Sequence, residues 1–176
     1  MNWDTLGASL IEALQDEYRA RARYTKTLER YGPLPPFTAI VAAEQRHVEA
    51  LLELFHRYRI PIPPDHWPAQ VAYPSDLAAA CAAGVAGEIN NIKLYDRLLH
   101  QVAQADVRHT FFHLQRASRE SHLPAFRRCL AELEGLADRP SQTTVDRALL
   151  LGVAAGATLV YLLNRGISSA RVKVPG

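Results

Sequence analysis

Apolar residues recur at the spacing of an α-helix along most of the chain, which predicts four long helices. The predicted helices run from Asp4 to Tyr31, from Phe37 to about Tyr58, from Ser75 to about Gln104, and from Asp106 to about Leu136. Asp4 or Thr5 is the expected cap of the first, and a glycine-proline break at 32–33 ends it. No segment shows the alternation of a strand bounded by hairpin turns.

The connections between these helices predict how they pack. Short turns join the first helix to the second and the third to the fourth, so each pair should be an antiparallel hairpin. Residues 60 to about 74 are rich in proline and should be neither helix nor central strand. At up to about 3.3 Å per residue, this segment can run the length of a bundle. The pattern predicts an all-α fold, an antiparallel four-helix bundle with one long crossover between its second and third helices.

Two features modify this prediction. Pro124 lies inside the fourth helix, where we expect it to bend the helix or to start its last segment. Residues 148–164 carry no charge and are apolar on every face, which predicts a hydrophobic C-terminal helix of about 25 Å, at the lower limit for a membrane span. We therefore divide the chain into a bundle domain, residues 1–138, and a C-terminal segment, residues 139–176.

The C-terminal helix has two interpretations. Gly152 and Gly156 form a GxxxG pair, which is typical of closely packed helices in a membrane, and a membrane anchor is the favoured one. The alternative is a fifth helix buried in a homo-oligomer. The basic tail after residue 164 favours a cytoplasmic C-terminus, whereas an anchor at the end of a chain without a signal sequence leaves the bundle in the cytoplasm. We give the second argument more weight.

Charge and composition exclude some functions. The chain has 20 basic and 18 acidic side chains, well mixed, and a net charge of +2, so we expect no nucleic-acid partner. Its beginning lacks the basic and apolar regions of a secretory signal. The expected location is therefore a cytoplasmic bundle, anchored to the cell membrane if the C-terminal helix spans it.

The second helix contains the most informative pair of polar residues. Glu44 and His47 are three residues apart, on one helix face, between the apolar runs FTAIVAA and VEALLELF. Such a face is turned to the core, and a buried carboxylate and imidazole need a partner there. Metal ions are one such partner, because helical bundles build metal sites from inward-facing carboxylates and histidines.

Each of the other helices supplies one residue of the same kind: Glu17 on the first, Glu88 on the third and His122 on the fourth. With Ala105 as the turn, Glu88 is 17 residues before it and His122 is 17 after it, so the two should be level, about 25 Å from the turn. Measured from the turn between the first two helices, the heights of Glu17 and His47 along the bundle differ by about one helical turn. Any one of these residues alone is more often solvated or simply packed, but their coincidence on four helices predicts a metal site.

Several motifs resemble those of the ferritin-like superfamily, in which a Glu, an ExxH, a Glu and a second ExxH on successive helices bind two irons. More narrowly, the segments DEYRARARY, PFTAIVAAEQRHVEALLELFHRYRIP, CAAGVAGEINNIKLYDRLL and DVRHTFFHLQRASRESHLPAFRRC are similar to the prokaryotic family called domain of unknown function 2202. The resemblance covers about residues 10 to 130.

The resemblance implies five metal ligands: Glu17, Glu44, His47, Glu88 and His122. It also implies iron as the cofactor, with Mn or Zn as alternatives, and ferroxidase or peroxidase chemistry with O₂ or peroxide as a partner. No catalytic residue is assigned.

The chain departs from the superfamily pattern at Arg119, which stands where the second bridging carboxylate is expected and which we expect to pair with Glu88 or Glu17. The site would then hold two ions with Glu44 as the sole bridge, one ion, or none. In the last case the protein is a non-catalytic, structural or membrane-associated interaction protein whose carboxylates form a buried ion network with Arg119.

The two cysteines, Cys81 and Cys129, belong to the same motifs and should be level across the second hairpin. Level positions allow a disulfide or a reactive pair, but a reducing cytoplasm favours two buried thiols.

Overall fold

A computed structural model describes residues 3–137 of the 176-residue chain. The helical elements are α1 (Trp3–Tyr31), α2 (Phe37–Tyr58), α3 (Trp67–Gln70), α4 (Leu77–Gln101), α5 (Ala105–Ala117), a π-helical turn (Ser118–His122) and α6 (Leu123–Ala137). Residues 3–137 contain helices and no strand, which confirms the all-α prediction for this part of the chain.

The predicted C-terminal helix at residues 148–164 and the predicted domain boundary at residue 138 lie outside the described residues. No helix among residues 3–137 is both long enough and apolar enough to cross a membrane. Residues Met1–Glu134 form one compact unit, which contains every contact discussed below.

The long helices pack side by side, as expected for a bundle. α1 packs against α2 and α4, α4 packs against α5 and the π-helical turn, and α2 contacts α5. The crossover follows α1 towards its C-terminal end: Asp65 pairs with Arg21, and further along the Tyr73 hydroxyl donates to Glu29. The crossover thus lies along the C-terminal half of α1 on its way from α2 to α4.

The crossover is not wholly irregular, which corrects one expectation. Residues Trp67–Gln70 form the single turn α3, with Pro68 in its first turn, where a missing N–H costs no helical hydrogen bond. The Trp67 indole N–H donates to Gln15 Oε1 at 2.8 Å and fixes this turn to α1.

Helix ends agree with the sequence where a strong signal marks them. Asp76 caps α4 by accepting the Ala79 N–H at 2.7 Å. Two expected ends were wrong: α1 begins at Trp3, so that Asp4 and Thr5 lie inside it, and α4 ends at Gln101 rather than near Gln104. No glycine or proline marks either of these two ends in the sequence.

The fourth predicted helix is divided by the π-helical turn. The Leu123 N–H bonds to the Ser118 carbonyl, five residues back, instead of four. Pro124 has no N–H with which to continue the α-helical ladder, which explains why the wide turn lies directly before it. Pro124 therefore begins the last segment, the second of the two outcomes expected for it.

The core consists of two apolar clusters with the candidate site between them. One contains Leu10, Leu14, Leu51 and Phe111, and the other contains Tyr24, Phe37, Ile40 and Phe126, among others. On each long helix, the predicted site residue falls in sequence between members of the two clusters. Phe126 lies so close to Gly84 that a Cβ there would be 2.5 Å from its ring, so this helix contact requires glycine.

Cys81 and Cys129 are joined by a disulfide between α4 and α6, with their Cα atoms 6.0 Å apart. The expectation of two free thiols was wrong. The level positions of the two residues had been estimated correctly, whereas the preference for thiols rested only on the redox state expected of the compartment.

Candidate metal centre

The five residues predicted to bind metal come together in the interior. Glu17 extends from α1, Glu44 and His47 from α2, Glu88 from α4, and His122 from the π-helical turn, and all five are buried. They form two groups that each offer three ligand atoms within 4.8 Å of one another, Glu17, Glu44 and His47 in the first, and Glu44, Glu88 and His122 in the second. Glu44 belongs to both.

The carboxylate of Glu44 lies between the two histidines. Its Oε2 is 2.9 Å from Nδ1 of His47, and its Oε1 is 3.1 Å from Nδ1 of His122. The two imidazole rings are nearly parallel, with centroids 5.5 Å apart. Glu44 therefore has the position of a carboxylate that bridges two ions.

The remaining two carboxylates flank this pair in a similar way. Glu17 Oε2 is 3.2 Å from His47 Nδ1, and Glu88 Oε2 is 3.5 Å from His122 Nδ1. The two halves of the cluster thus have equivalent composition, one carboxylate and one imidazole each, with Glu44 shared.

Two buried tyrosines orient the outer carboxylates. The Tyr95 hydroxyl donates to Glu17 Oε1 at 2.6 Å, and the Tyr24 hydroxyl donates to Glu88 Oε1, also at 2.6 Å. Each hydroxyl binds the oxygen that does not face a histidine, so both Oε2 atoms stay available to a ligand. Tyr18, the residue after Glu17, instead packs in the first apolar cluster.

Sequence reasoning missed a second polar chain beside Glu17. Asn91 donates to Glu17 Oε1 at 3.2 Å and to Asp16 Oδ2 at 2.9 Å, while Ser118 donates to Asn91 Oδ1 at 2.8 Å. All of these residues are buried. The available signal was the position of Asn91 three residues after Glu88, on the same face of the helix.

Arg119 does not belong to the cluster, contrary to expectation. Its side chain is 54% exposed and lies 3.5 Å from Asp96 rather than against Glu17 or Glu88. The wide turn explains this, because it points Ser118 inward and leaves Arg119 on the outer face. Glu120 is also outside, 3.8 Å from Arg116.

Burial and mutual proximity shift the pKa values of the cluster. Burial, with the nearby charge of Glu44, raises the pKa of Glu17 to about 7. Burial alone would raise the pKa of Glu44, but the close approach of His122, His47 and Glu17 outweighs it and lowers that pKa. Burial lowers the pKa values of His47 and His122, but the adjacent carboxylates reverse this and raise them to about 10 and about 9. Both imidazoles thus hold protons that a bound cation would have to displace.

One buried nitrogen atom is better placed to bind a metal than to form a hydrogen bond within the protein. Among the described residues, Nδ1 of His122 is the buried side-chain nitrogen or oxygen that makes no hydrogen bond. Glu44 is close enough for an ion pair, but their geometry does not satisfy a hydrogen bond. An unbonded nitrogen facing two carboxylates is suited to coordinate a cation, and this mixture of ligands suits Fe, Mn or Zn.

Comparison with known proteins supports the fold and leaves the function open. No family model matches the chain, and no curated protein matches it. The crystal structure of hypothetical protein MJ0754 from Methanococcus jannaschii DSM 2661 is similar over 73% of this chain and 81% of that one, with 23% identity and a TM-score of 0.66. The chain therefore shares its helical fold with that archaeal protein.

Proposed function

We propose that this protein is a ferritin-like metalloprotein that holds two metal ions, iron in the first place, and uses them for redox chemistry with O₂ or peroxide. The observation that carries the proposal is the shared position of Glu44, with one carboxylate oxygen directed at each histidine. The long crossover along α1 and the ligands on successive helices support the ferritin-like assignment.

The residues divide between the two ions in a simple way. Glu17 and His47 would hold one ion, Glu88 and His122 the other, and Glu44 would bridge them. Bound iron would supply a change of oxidation state and a position at which a small oxidant can bind. Tyr24 and Tyr95 keep the outer carboxylates in place, and the apolar clusters on either side keep bulk water away.

This centre differs from the two-carboxylate bridge of the superfamily pattern. Arg119 is outside and Ser118 is inside, so Glu44 is the one carboxylate in a bridging position among the described residues. We infer a more exchangeable pair of ions, because fewer anionic ligands hold them.

A second candidate function is a non-catalytic interaction protein in which the cluster is a buried ion network. The contacts of His47 favour it, because its Nδ1 lies 2.9 and 3.2 Å from two carboxylates and is satisfied without a metal. His122 argues against it, since a purely structural network would leave its Nδ1 without a hydrogen bond. Docking to a membrane or to other copies through residues 148–164 is compatible with either function.

Elemental mass spectrometry tests the metal site. The purified chain, loaded with Fe²⁺, Mn²⁺ or Zn²⁺ and desalted, should retain about two ions, whereas Glu44→Gln should retain fewer than one. Glu53→Gln is the matched control, because Glu53 is an exposed residue of the same helix. If the wild type and both variants retain no metal, the result would favour the ion network.

Redox activity needs a separate measurement. With Fe²⁺ under air, the wild type and Glu53→Gln should oxidise iron faster than buffer alone, and Glu44→Gln should not. If the protein retains two ions but oxidises iron no faster than buffer alone, with O₂ or with peroxide, the metal site would stand and the enzymatic function would be contradicted.

A further inference from the structure

We propose that a cleft bounded by α1, the crossover and α4 binds a small organic anion with an apolar body. The cleft has a volume of about 450 Å³, within the range of small-molecule sites. None of the five predicted metal ligands lines it.

The walls of the cleft are mainly apolar. Val71 and Pro74 of the crossover line one side, Ala79 and Ala83 of α4 line the other, and the Trp67 ring lies at the margin. Small side chains on α4 leave the space open. Such walls accommodate a hydrocarbon body better than a hydrated ion.

The charge in the cleft is positive. Its two charged lining residues are Arg19 and Arg23. Arg19 pairs with Asp16 and stacks over Trp67, with 5.4 Å from its guanidinium carbon to the ring centroid. Arg23 is partly buried, and among the described residues it has no carboxylate partner and donates no side-chain hydrogen bond. A guanidinium of this kind is a ready partner for a carboxylate.

A glycine gives Arg23 its position. A Cβ added at Gly87 would lie 2.8 Å from Nη1 of Arg23 and 3.2 Å from the hydroxyl of Tyr24. Gly87 precedes Glu88, to which Tyr24 donates. Arg23 and the Tyr24 hydroxyl that donates to Glu88 therefore flank the same glycine.

The test uses 2-naphthoate and its neutral analogue 2-naphthamide, titrated into the metal-free full chain and followed by amide NMR. Naphthoate should shift the signals of Val71, Gly87 and the Trp67 indole, and should bind about tenfold more tightly than naphthamide. Because no metal is present, this result does not depend on the proposed metalloprotein function. The two probes are compared on the wild-type chain, so a variant that fails to fold cannot affect this result.

Variants locate the charge. Arg23→Gln should weaken naphthoate binding about tenfold and leave naphthamide unchanged, and Gly87→Ala should weaken naphthoate by displacing the guanidinium. Arg30→Gln, an exposed arginine near the end of α1, should bind as the wild type does. Equal affinities for acid and amide, shifts confined to another surface, or inorganic phosphate binding as tightly as naphthoate would each overturn the proposal.

Discussion

Oε1 of Glu44 lies 3.1 Å from Nδ1 of His122, yet no hydrogen bond joins the two atoms. The other oxygen of the same carboxylate is 2.9 Å from His47 and does form one. One half of the cluster is thus satisfied by the protein itself, while the other contains an unsatisfied buried nitrogen. A cation that binds the folded cluster, and not the unfolded chain, should therefore stabilise the fold.

The stability of the metal-free protein should fall as the pH rises. The pKa values of His47 and His122 are raised to about 10 and about 9, so their stabilising contribution is complete below about 6.5 and is lost as the pH passes through the raised values. Glu17, whose pKa is raised to about 7, loses its contribution between about 4.5 and 7. We expect the Tm in EDTA to drop by about 5 °C or more from pH 6.5 to 9.5. His47→Gln should reduce that drop, and an equal drop in both proteins would assign it to other groups.

Removal of either tyrosine hydroxyl should affect both stability and metal binding. Tyr24→Phe leaves Oε1 of Glu88 without the donor that the Tyr24 hydroxyl supplies, and Tyr95→Phe leaves Oε1 of Glu17 with only the longer bond from Asn91; each change should cost about 1–3 kcal/mol in the metal-free protein. Metal affinity should fall about 10- to 100-fold. Tyr73→Phe loses a similar bond to Glu29 at the exposed surface and should change stability by less than about 0.5 kcal/mol. Denaturant unfolding would measure the effect on stability, and competition with a metal indicator would measure the effect on metal affinity. If all three variants lose the same stability and the same metal affinity, the two buried bonds contribute no more than the exposed one.

Arg119→Glu should not complete the metal site. The side chain at this position points outward, so a carboxylate introduced there would face Asp96 and solvent instead of the cluster. The number of bound ions should stay the same, and their affinity should change by less than about twofold, since exposed charges interact weakly. A clear gain in metal affinity would mean that the fourth helix is a continuous α-helix with residue 119 facing inward.

Arg59→Gly should stabilise the protein. Arg59 ends α2 with a φ of 54°, a left-handed conformation that glycine adopts without strain, and its side chain is exposed. We expect a gain of about 0.5–1 kcal/mol in the free energy of unfolding, because the left-handed conformation costs other residues about 1–2 kcal/mol and the greater freedom of glycine in the unfolded chain offsets only part of this. Arg46→Gly, in the interior of the same helix and also exposed, should instead lose about 1 kcal/mol. If both variants lose stability, the conformation of Arg59 carries no strain that glycine can relieve.

The sequence predicted the long helices and the convergence of the five candidate ligands because both depend on regular geometry. The ends at Tyr31, Phe37 and Tyr58 agree with the structure, since glycine and proline follow or precede them. The level positions of Glu88 and His122 follow from a constant rise per residue and a short turn. These estimates required no knowledge of side-chain conformation.

The features that were missed depend on local choices that periodicity does not contain. Asn91 cannot be distinguished from any other polar helical residue by sequence alone. Its role depends on its hydrogen-bond partners on α1 and the π-helical turn. The direction of Arg119 depends on whether the backbone bonds to the fourth or the fifth residue back. The disulfide depends on the meeting of two sulfur atoms, for which level positions are necessary but not sufficient.

The π-helical turn also changes how this chain should be aligned with other proteins. Inward-facing positions recur every four residues through this region: Leu114, Ser118, His122 and Phe126. In an uninterrupted α-helix, each step of four residues would rotate the side chain by about 40°. The wide turn absorbs that rotation and is equivalent to one extra residue inserted into an α-helix. An alignment that allows a single gap before His122 would therefore match Ser118, and not Arg119, with the carboxylate of a two-bridge centre.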